Sequence, residues 1–254
     1  MFEELADNHL EFAGLAEIKK TLGLLHEFHL TCGSDNRCRT PIWAFSTITA
    51  RMAPDGSAYP FTTAAWTRYP ITPTAGTALA YLDFASMEFG VAAGLSRCPQ
   101  MTRDYAEGDP YVAFGARAGV GEISRTRLKP AVLACQYGLA AERASRVLAI
   151  SRAAAQHFID LHRRDYARYW SWSDGRLDRA FQDGILTTRD GWQCRVSSRT
   201  SERTARNWLI QANSAGIFRM AGLMAQKIGI RIVALVVVLA HHPPGLTRKV
   251  IWKS

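Results

Sequence analysis

No aspartate or glutamate follows Glu202 in this 254-residue chain, although eight lysines and arginines do. The last fifth of the sequence therefore offers no carboxylate for metal binding or proton transfer. Cysteine is also sparse. Five cysteines (Cys32, Cys38, Cys98, Cys135 and Cys194) stand scattered, odd in number and without a CxxC pair. That excludes a disulfide framework and a structural zinc site, and fits reduced thiols in a cytoplasmic protein. The most apolar run, residues 232–240, is far shorter than the ~20 residues of a membrane helix, so no membrane partner is expected and a buried strand is. The N-terminal MFEELADNHLEF is acidic and lacks the apolar core of a signal peptide. There is no internal repeat and no low-complexity tract.

What is present is an ordinary globular composition with a basic excess. Apolar residues make up 48% and charged residues 21%; 31 Lys+Arg against 22 Asp+Glu give a net charge of +9. A surplus of that size favours an anionic partner, most simply nucleic acid.

Along the chain, residues 10–30 read as a helix. Within it His26 and His29 stand three apart, where a zinc-protease helix needs histidines four apart. Residues 31–80 are rich in Gly, Pro, Ser and Thr and predict loops with short strands. Residues 78–84 read as a buried strand and 87–95 as a helix. Residues 122–138 read as a helix interrupted at Pro130. Ser151 caps a stronger helix. Ala155, Phe158, Ile159, His162, Tyr166, Tyr169 and Trp170 form its core side, and Arg152, Gln156, Asp160, Arg163 and Arg164 its solvent side. An Asp-Gly turn within residues 185–196 predicts a hairpin. Residues 201–228 read as a long helix ended by Gly229, and 230–239 as the next strand.

Three groups of residues could carry chemistry. Asp83 and Glu88 flank the end of the apolar run in YLDFASMEFG. On spacing alone Asp83 either caps the following helix or works as a carboxylate. Arg125, Lys129, Leu133 and Tyr137 stand four apart and share one helix stripe. Two cations followed by apolar and aromatic groups suit a nucleotide, with phosphates at one end and base at the other. A solvated face running into core explains the same spacing. Arg203, Asn207 and Gln211 repeat it with groups suited to a nucleic-acid backbone and groove, or to an ordinary helix surface.

In their order and combination these residues resemble the family-A DNA polymerases, the bacterial DNA polymerase I type, over residues 20–234. LDFASMEFGVAAGLS is similar to the family's first palm motif, and HLTCGSDNRCRTPIWAF to the chain leaving the thumb. The resemblance implies an α/β (α+β) fold: a polymerase palm with a mainly antiparallel sheet plus a helical fingers insertion. It implies domains at 1–45 (end of thumb), 46–96 (first part of the palm), 97–184 (fingers), 185–240 (second part of the palm) and 241–254 (an atypical tail). The implied activity is DNA-directed DNA polymerisation by two-metal nucleotidyl transfer. Asp83 would be the catalytic carboxylate. It would hold magnesium (Mg2+) together with the backbone carbonyl of Phe84. Glu88, Arg125, Lys129, Leu133 and Tyr137 would bind the deoxynucleoside triphosphate. Glu88 would also limit access of a sugar 2′-hydroxyl. Arg203, Asn207 and Gln211 would touch primer-template DNA.

The sequence departs from the family's pattern at several points. Leu133 replaces an aromatic residue, Tyr111 stands where many members place a phosphate-binding histidine, and Gly90 replaces an arginine. Pro130 interrupts the fingers helix, and ARMAPDG lacks a Gly-Arg pair of the primer-contacting segment. The family follows the GIRIVA strand with a His-Asp turn whose aspartate is the second metal ligand. Here GIRIVA runs into LVVVLAHHPPGLTRKVIWKS. That change, beginning near Leu235, reads as a frameshift or truncation, with the N-terminal part of a full polymerase and most of the thumb also missing. The expectation is an impaired polymerase; the alternative is a catalytically inactive remnant that still binds DNA.

Overall fold

The computed structural model describes residues 10–27, 32–55, 59, 68–69, 71–73, 76–78 and 80–234. The chain divides into two compact units. The first comprises residues 1–47, 52–81 and 234–254, and the second residues 48–51 and 82–233.

In the first unit, α1 (Leu10–Glu27) carries exposed Leu15, Ile18, Leu22 and Leu25. His29 of the zinc-like spacing lies outside the described residues. Two short strands, β1 (Ile42–Trp43) and β2 (Ala53–Pro54), pair antiparallel, and the Asp55 N–H closes on the Pro41 carbonyl at 2.8 Å.

The second unit is mainly helical. Its elements are α2 (Met87–Ser96), α3 (Pro99–Glu107), α4 (Pro110–Arg117), α5 (Arg125–Gln136), α6 (Ala141–Leu148), α7 (Arg152–Asp165) and α8 (Ala167–Asp183), followed by β3 (Ile185–Thr187), β4 (Gln193–Arg195) and α9 (Glu202–Lys227). Local chemistry sets many of these boundaries. Pro99 and Pro110 open α3 and α4, where a missing N–H costs nothing. Side chains of Asp109, Ser151 and Ser201 accept bonds from the first free N–H groups of α4, α7 and α9. Gly229, at φ 86°, follows the end of α9 in the left-handed region that a Cβ disfavours. Among the described residues no helix is long and apolar enough to cross a membrane.

The main core gathers α2 to α8 around aromatic rings. Phe114 meets Phe158 edge-on at 4.9 Å, and Phe89 meets Tyr166 at 5.6 Å. The whole predicted apolar side of α7 and the start of α8 is buried there. Polar groups lock the helices. Arg117 of α4 makes a two-pronged bond to buried Asp104 of α3, at 2.8 and 2.7 Å. Tyr166 donates to the same carboxylate at 2.6 Å, and Arg117 also reaches Asp165 at 3.1 Å. A second cluster packs α8, the hairpin and α9 through Leu177, Leu186, Trp208 and Leu209.

Three expectations change. Residues 80–84 form no strand, and Tyr81, Leu82 and Phe84 are exposed. Residues 230–234 are likewise irregular, and 235–239 lie outside the described residues. A strand exists only through its ladder, and neither segment has a strand partner among the described residues. The antiparallel pairing that is described comprises two two-stranded ribbons. Pro130 also fails to interrupt its helix: α5 runs through it from Arg125 to Gln136. Burial of Leu128, Ala131, Val132 and Cys135 on the core side outweighs the lost backbone bond.

Candidate nucleotide and DNA site

Asp83 stands, exposed, in the irregular approach to α2. It is not the helix cap: that position falls to Ser86, held at φ 46°, ψ 41° with no side-chain capping bond. A left-handed serine is strained by roughly 1–2 kcal/mol, so its neighbours must hold it. They do so on both sides. Tyr105 of α3 donates from its hydroxyl to the Ala85 carbonyl at 3.1 Å, and the Phe84 ring meets Phe218 of α9 at 6.5 Å. Gly90 belongs to the same device. A Cβ there would lie 2.6 Å from the Tyr105 ring. The departure from arginine at this position therefore has a physical reason: Tyr105 fills the space.

Glu88 sits in the first turn of α2, where the helix dipole favours a carboxylate. It accepts a short hydrogen bond from the hydroxyl of Tyr137, at the end of α5. Burial, with the Glu88 charge beside it, pushes the Tyr137 phenol well above its ordinary pKa, so it remains a donor. Tyr111 is buried close by. Burial drives its pKa up to about 12, countered in part by a bond with Ser86. Arg125 lies 5.6 Å over the Tyr111 ring and pairs with Asp109. Asp109 meanwhile accepts from the Tyr111 and Val112 N–H groups at 3.0 and 3.1 Å. Glu88, Tyr137, Tyr111, Arg125 and Asp109, drawn from three helices and a cap, thus form one cluster. Asp109 was not foreseen; the Asp-Pro pair that marks a helix start was its sequence signal.

The 125–137 stripe joins both readings of its spacing. Arg125 is exposed, Lys129 and Leu133 are half-buried, and Tyr137 is buried. Lys129 has no ion-pair partner among the described residues. Leu133 packs against the main core.

On α9, Arg203 is exposed while Asn207 and Gln211 are half-buried. The Asn207 Oδ1 atom is buried without a hydrogen-bond partner among the described residues. Arg206 is structural. It is buried, bonded to Asp174 at 2.6 Å and Glu202 at 3.1 Å, and lies 5.1 Å over the Trp170 ring.

Among the described residues no three His, Cys, Asp or Glu side chains group to hold an ion. Glu88 is committed to Tyr137, leaving Asp83 and the Phe84 carbonyl. That donor set does not fit a pair of ions.

The helical layout with its small antiparallel ribbons is that of an α+β domain. The family model for DNA polymerase family A matches residues 2–232, and the chain belongs to that family. The thermostable DNA polymerase I of Thermus thermophilus is 28% identical over 162 residues, which cover 58% of this chain and 20% of that protein. That of Thermus caldophilus is 28% identical over 163 residues, with the same shares. This chain thus matches about a fifth of the length of these relatives. Among solved structures, the POL domain of Pol1 from M. smegmatis, in complex with DNA primer-template and dNTP, superposes with a TM-score of 0.70 at 20% identity. The match covers 91% of this chain and 46% of that one.

Proposed function

We propose that this chain is a segment of a cytoplasmic DNA-directed DNA polymerase, built to add deoxynucleotides to a primer as a template directs. The observation that carries the reading is the convergence of Glu88, Tyr137 and Arg125 around Tyr111. Those residues come from separate stretches of chain and suit one substrate. Arg125 and Lys129 attract the triphosphate, with Arg125 exchanging Asp109 for phosphate oxygens. Leu133 and Tyr137 offer an apolar surface to the base pair. Tyr137 fixes the Glu88 carboxylate, which crowds the sugar 2′ position. Arg203 and Gln211 meet primer-template DNA, and the unpartnered Asn207 oxygen awaits a donor from it. We assign residues 1–45 to the end of a thumb, 46–96 and 185–240 to the palm, 97–184 to the fingers and 241–254 to an atypical tail.

Magnesium is the ion such chemistry uses, since it takes oxygen ligands and is held by few carboxylates plus substrate phosphates. Asp83 and the Phe84 carbonyl are the groups this chain offers it. With no acid after Glu202, the chain by itself has no second carboxylate in its tail. We therefore favour a strongly impaired polymerase. The alternative is an inactive DNA-binding remnant, in keeping with the absence of a three-residue acidic cluster among the described residues.

Primer extension distinguishes the two. The unaltered chain is compared with a version whose residues from 235 onward are replaced by Pro-Val-His-Asp and a strand. Losing one electrostatic contact to a transition state costs ~10²–10³ in rate, so the replaced version should be faster by at least about that factor. Asp83→Ala should abolish its activity. Equal rates from both chains would sink the impaired-site reading. Persistence of activity in Asp83→Ala would sink the polymerase assignment of that residue. DNA binding by both chains with extension by neither would favour the remnant.

A further inference from the structure

A cleft of about 310 Å³ opens in the second unit between α2, α8, the β3–β4 hairpin and α9. It is large enough for a small ligand. It is separate from the stripe assigned to DNA. Its α9 residues are Leu209 and Asn213. At 3.6 residues per turn these stand roughly 200–240° around the helix from Asn207.

The lining combines two chemistries. Leu95, Trp172 and Leu209 give it an apolar, partly aromatic wall, and Arg176 and Arg189 give it two cations. The Arg176 Nη2 group donates to the Thr187 carbonyl at 2.7 Å, which holds the guanidinium at the hairpin edge. Among the described residues its remaining N–H groups, and the whole Arg189 guanidinium, have no partner. Asn213 fixes the position of Arg189. Its Oδ1 accepts from the Arg189 backbone N–H at 2.9 Å, and its Nδ2 donates to the Leu209 carbonyl at 2.7 Å. The acid next in sequence, Asp190, is already engaged: it accepts from the Thr188 hydroxyl and lies 3.5 Å from Arg219.

Two guanidinium groups with N–H donors to spare, beside a tryptophan, suit a planar ring carrying phosphate. Arginine matches phosphate oxygens in pairs, and the indole and leucines match an apolar ring face. We propose that this cleft is an accessory binding site for a nucleoside 5′-monophosphate. The inference goes beyond the polymerase reading and does not depend on it.

Isothermal titration calorimetry of the full chain with dAMP tests it, using Arg189→Ala, Arg189→Glu, Leu95→Trp and the double variant Arg125→Ala/Lys129→Ala. A lost charge-assisted hydrogen bond weakens binding about tenfold or more. That is the loss expected for Arg189→Ala. Arg189→Glu should weaken binding further, and Leu95→Trp, which fills the cleft, should abolish it. Arg125→Ala/Lys129→Ala should leave this binding in place. Absence of dAMP binding at millimolar concentration overturns the proposal. So does unchanged affinity in both Arg189 variants. Loss of dAMP binding only in Arg125→Ala/Lys129→Ala would locate the ligand at the triphosphate cluster instead. Inorganic phosphate binding as tightly as dAMP would overturn the nucleotide assignment.

Discussion

At Gly90 a single missing side chain decides whether the approach to α2 keeps its shape. Tyr105 packs where a Cβ would stand and holds the Ala85 carbonyl, two residues beyond Asp83. Gly90→Ala should cost about 1–3 kcal/mol, the usual price of overpacking, read as a lower urea midpoint at unchanged slope. His162 gives a second residue-scale test. It is fully buried, its Nδ1 accepts from the Trp170 indole at 3.2 Å, and its Nε2 has no partner among the described residues. Burial, with Arg163 adding repulsion, pushes its pKa down to about 3. The unfolded chain therefore takes up a proton near pH 6.5 that the folded chain refuses. The stability this preserves is present above pH 6.5 and drains away as pH falls toward 3. At pH 4.5 the loss relative to pH 7 from this group alone is about 2–3 kcal/mol. Chemical denaturation at both values should show that excess in the parent chain and not in His162→Leu. An equal pH response in both would show that His162 does not titrate in this way. Residue-scale legibility was uneven. The proposed roles of Glu88 and Tyr137 came from resemblance, and their bond was not foreseen, because nothing in local spacing joins residues 49 positions apart. Gly90 showed as a departure, but its cause needed the Tyr105 ring.

The longer helices were legible at the element scale and two of the expected strands were not, for one physical reason. A helix closes its bonds within itself, so caps and a 3.6-residue period state its existence locally. The Ser151 cap, the buried side of α7 and the extent of α9 followed from that pattern. A strand depends on a partner elsewhere in the chain, and the apolar character around residues 80–84 and 230–234 says nothing about whether the partner is there. The short hairpin was legible because its Asp-Gly turn brings its own partner with it. Between helices, the Asp104 carboxylate is the junction: it binds Gln100 within α3, Arg117 of α4 and Tyr166 at the α7–α8 corner. Asp104→Ala leaves Arg117 and the Tyr166 hydroxyl without that partner. Breaking such a pair from one side costs about 3 kcal/mol. A double-mutant cycle with Tyr166→Phe should give less than the sum of the two single losses, because both remove the same bond. Strict additivity would mean that the Tyr166–Asp104 bond contributes nothing to holding this corner.

For the whole molecule the net charge of +9 overstates the cationic surface open to an anionic partner such as the proposed DNA. Of the five described cations after Glu202, Arg206 is buried and paired, and Arg219 is drawn to Asp190 and the Ala50 carbonyl. Arg203, Lys227 and Arg231 remain exposed. Arg203 and Arg206, alike in the sequence, should therefore answer differently to the same substitution. Each phosphate contact made by a cation releases counterions, so log affinity falls with log salt in proportion to the number of contacts. If Arg203 meets a phosphate, Arg203→Ala should weaken primer-template binding at low salt. It should also reduce the salt slope by about one, with an unchanged melting temperature. Arg206→Ala should act through the fold. Removing it leaves Asp174 and Glu202 without their cation and opens a gap over Trp170, so its melting temperature should drop while the slope, measured well below that temperature, stays the same. Fluorescence anisotropy across a salt series, with thermal unfolding of both variants, reads the two effects separately. A salt slope unmoved in Arg203→Ala would take α9 out of the DNA-binding surface. A slope reduced in Arg206→Ala as well, with no loss of stability, would mean that the buried ion pair opens when DNA binds.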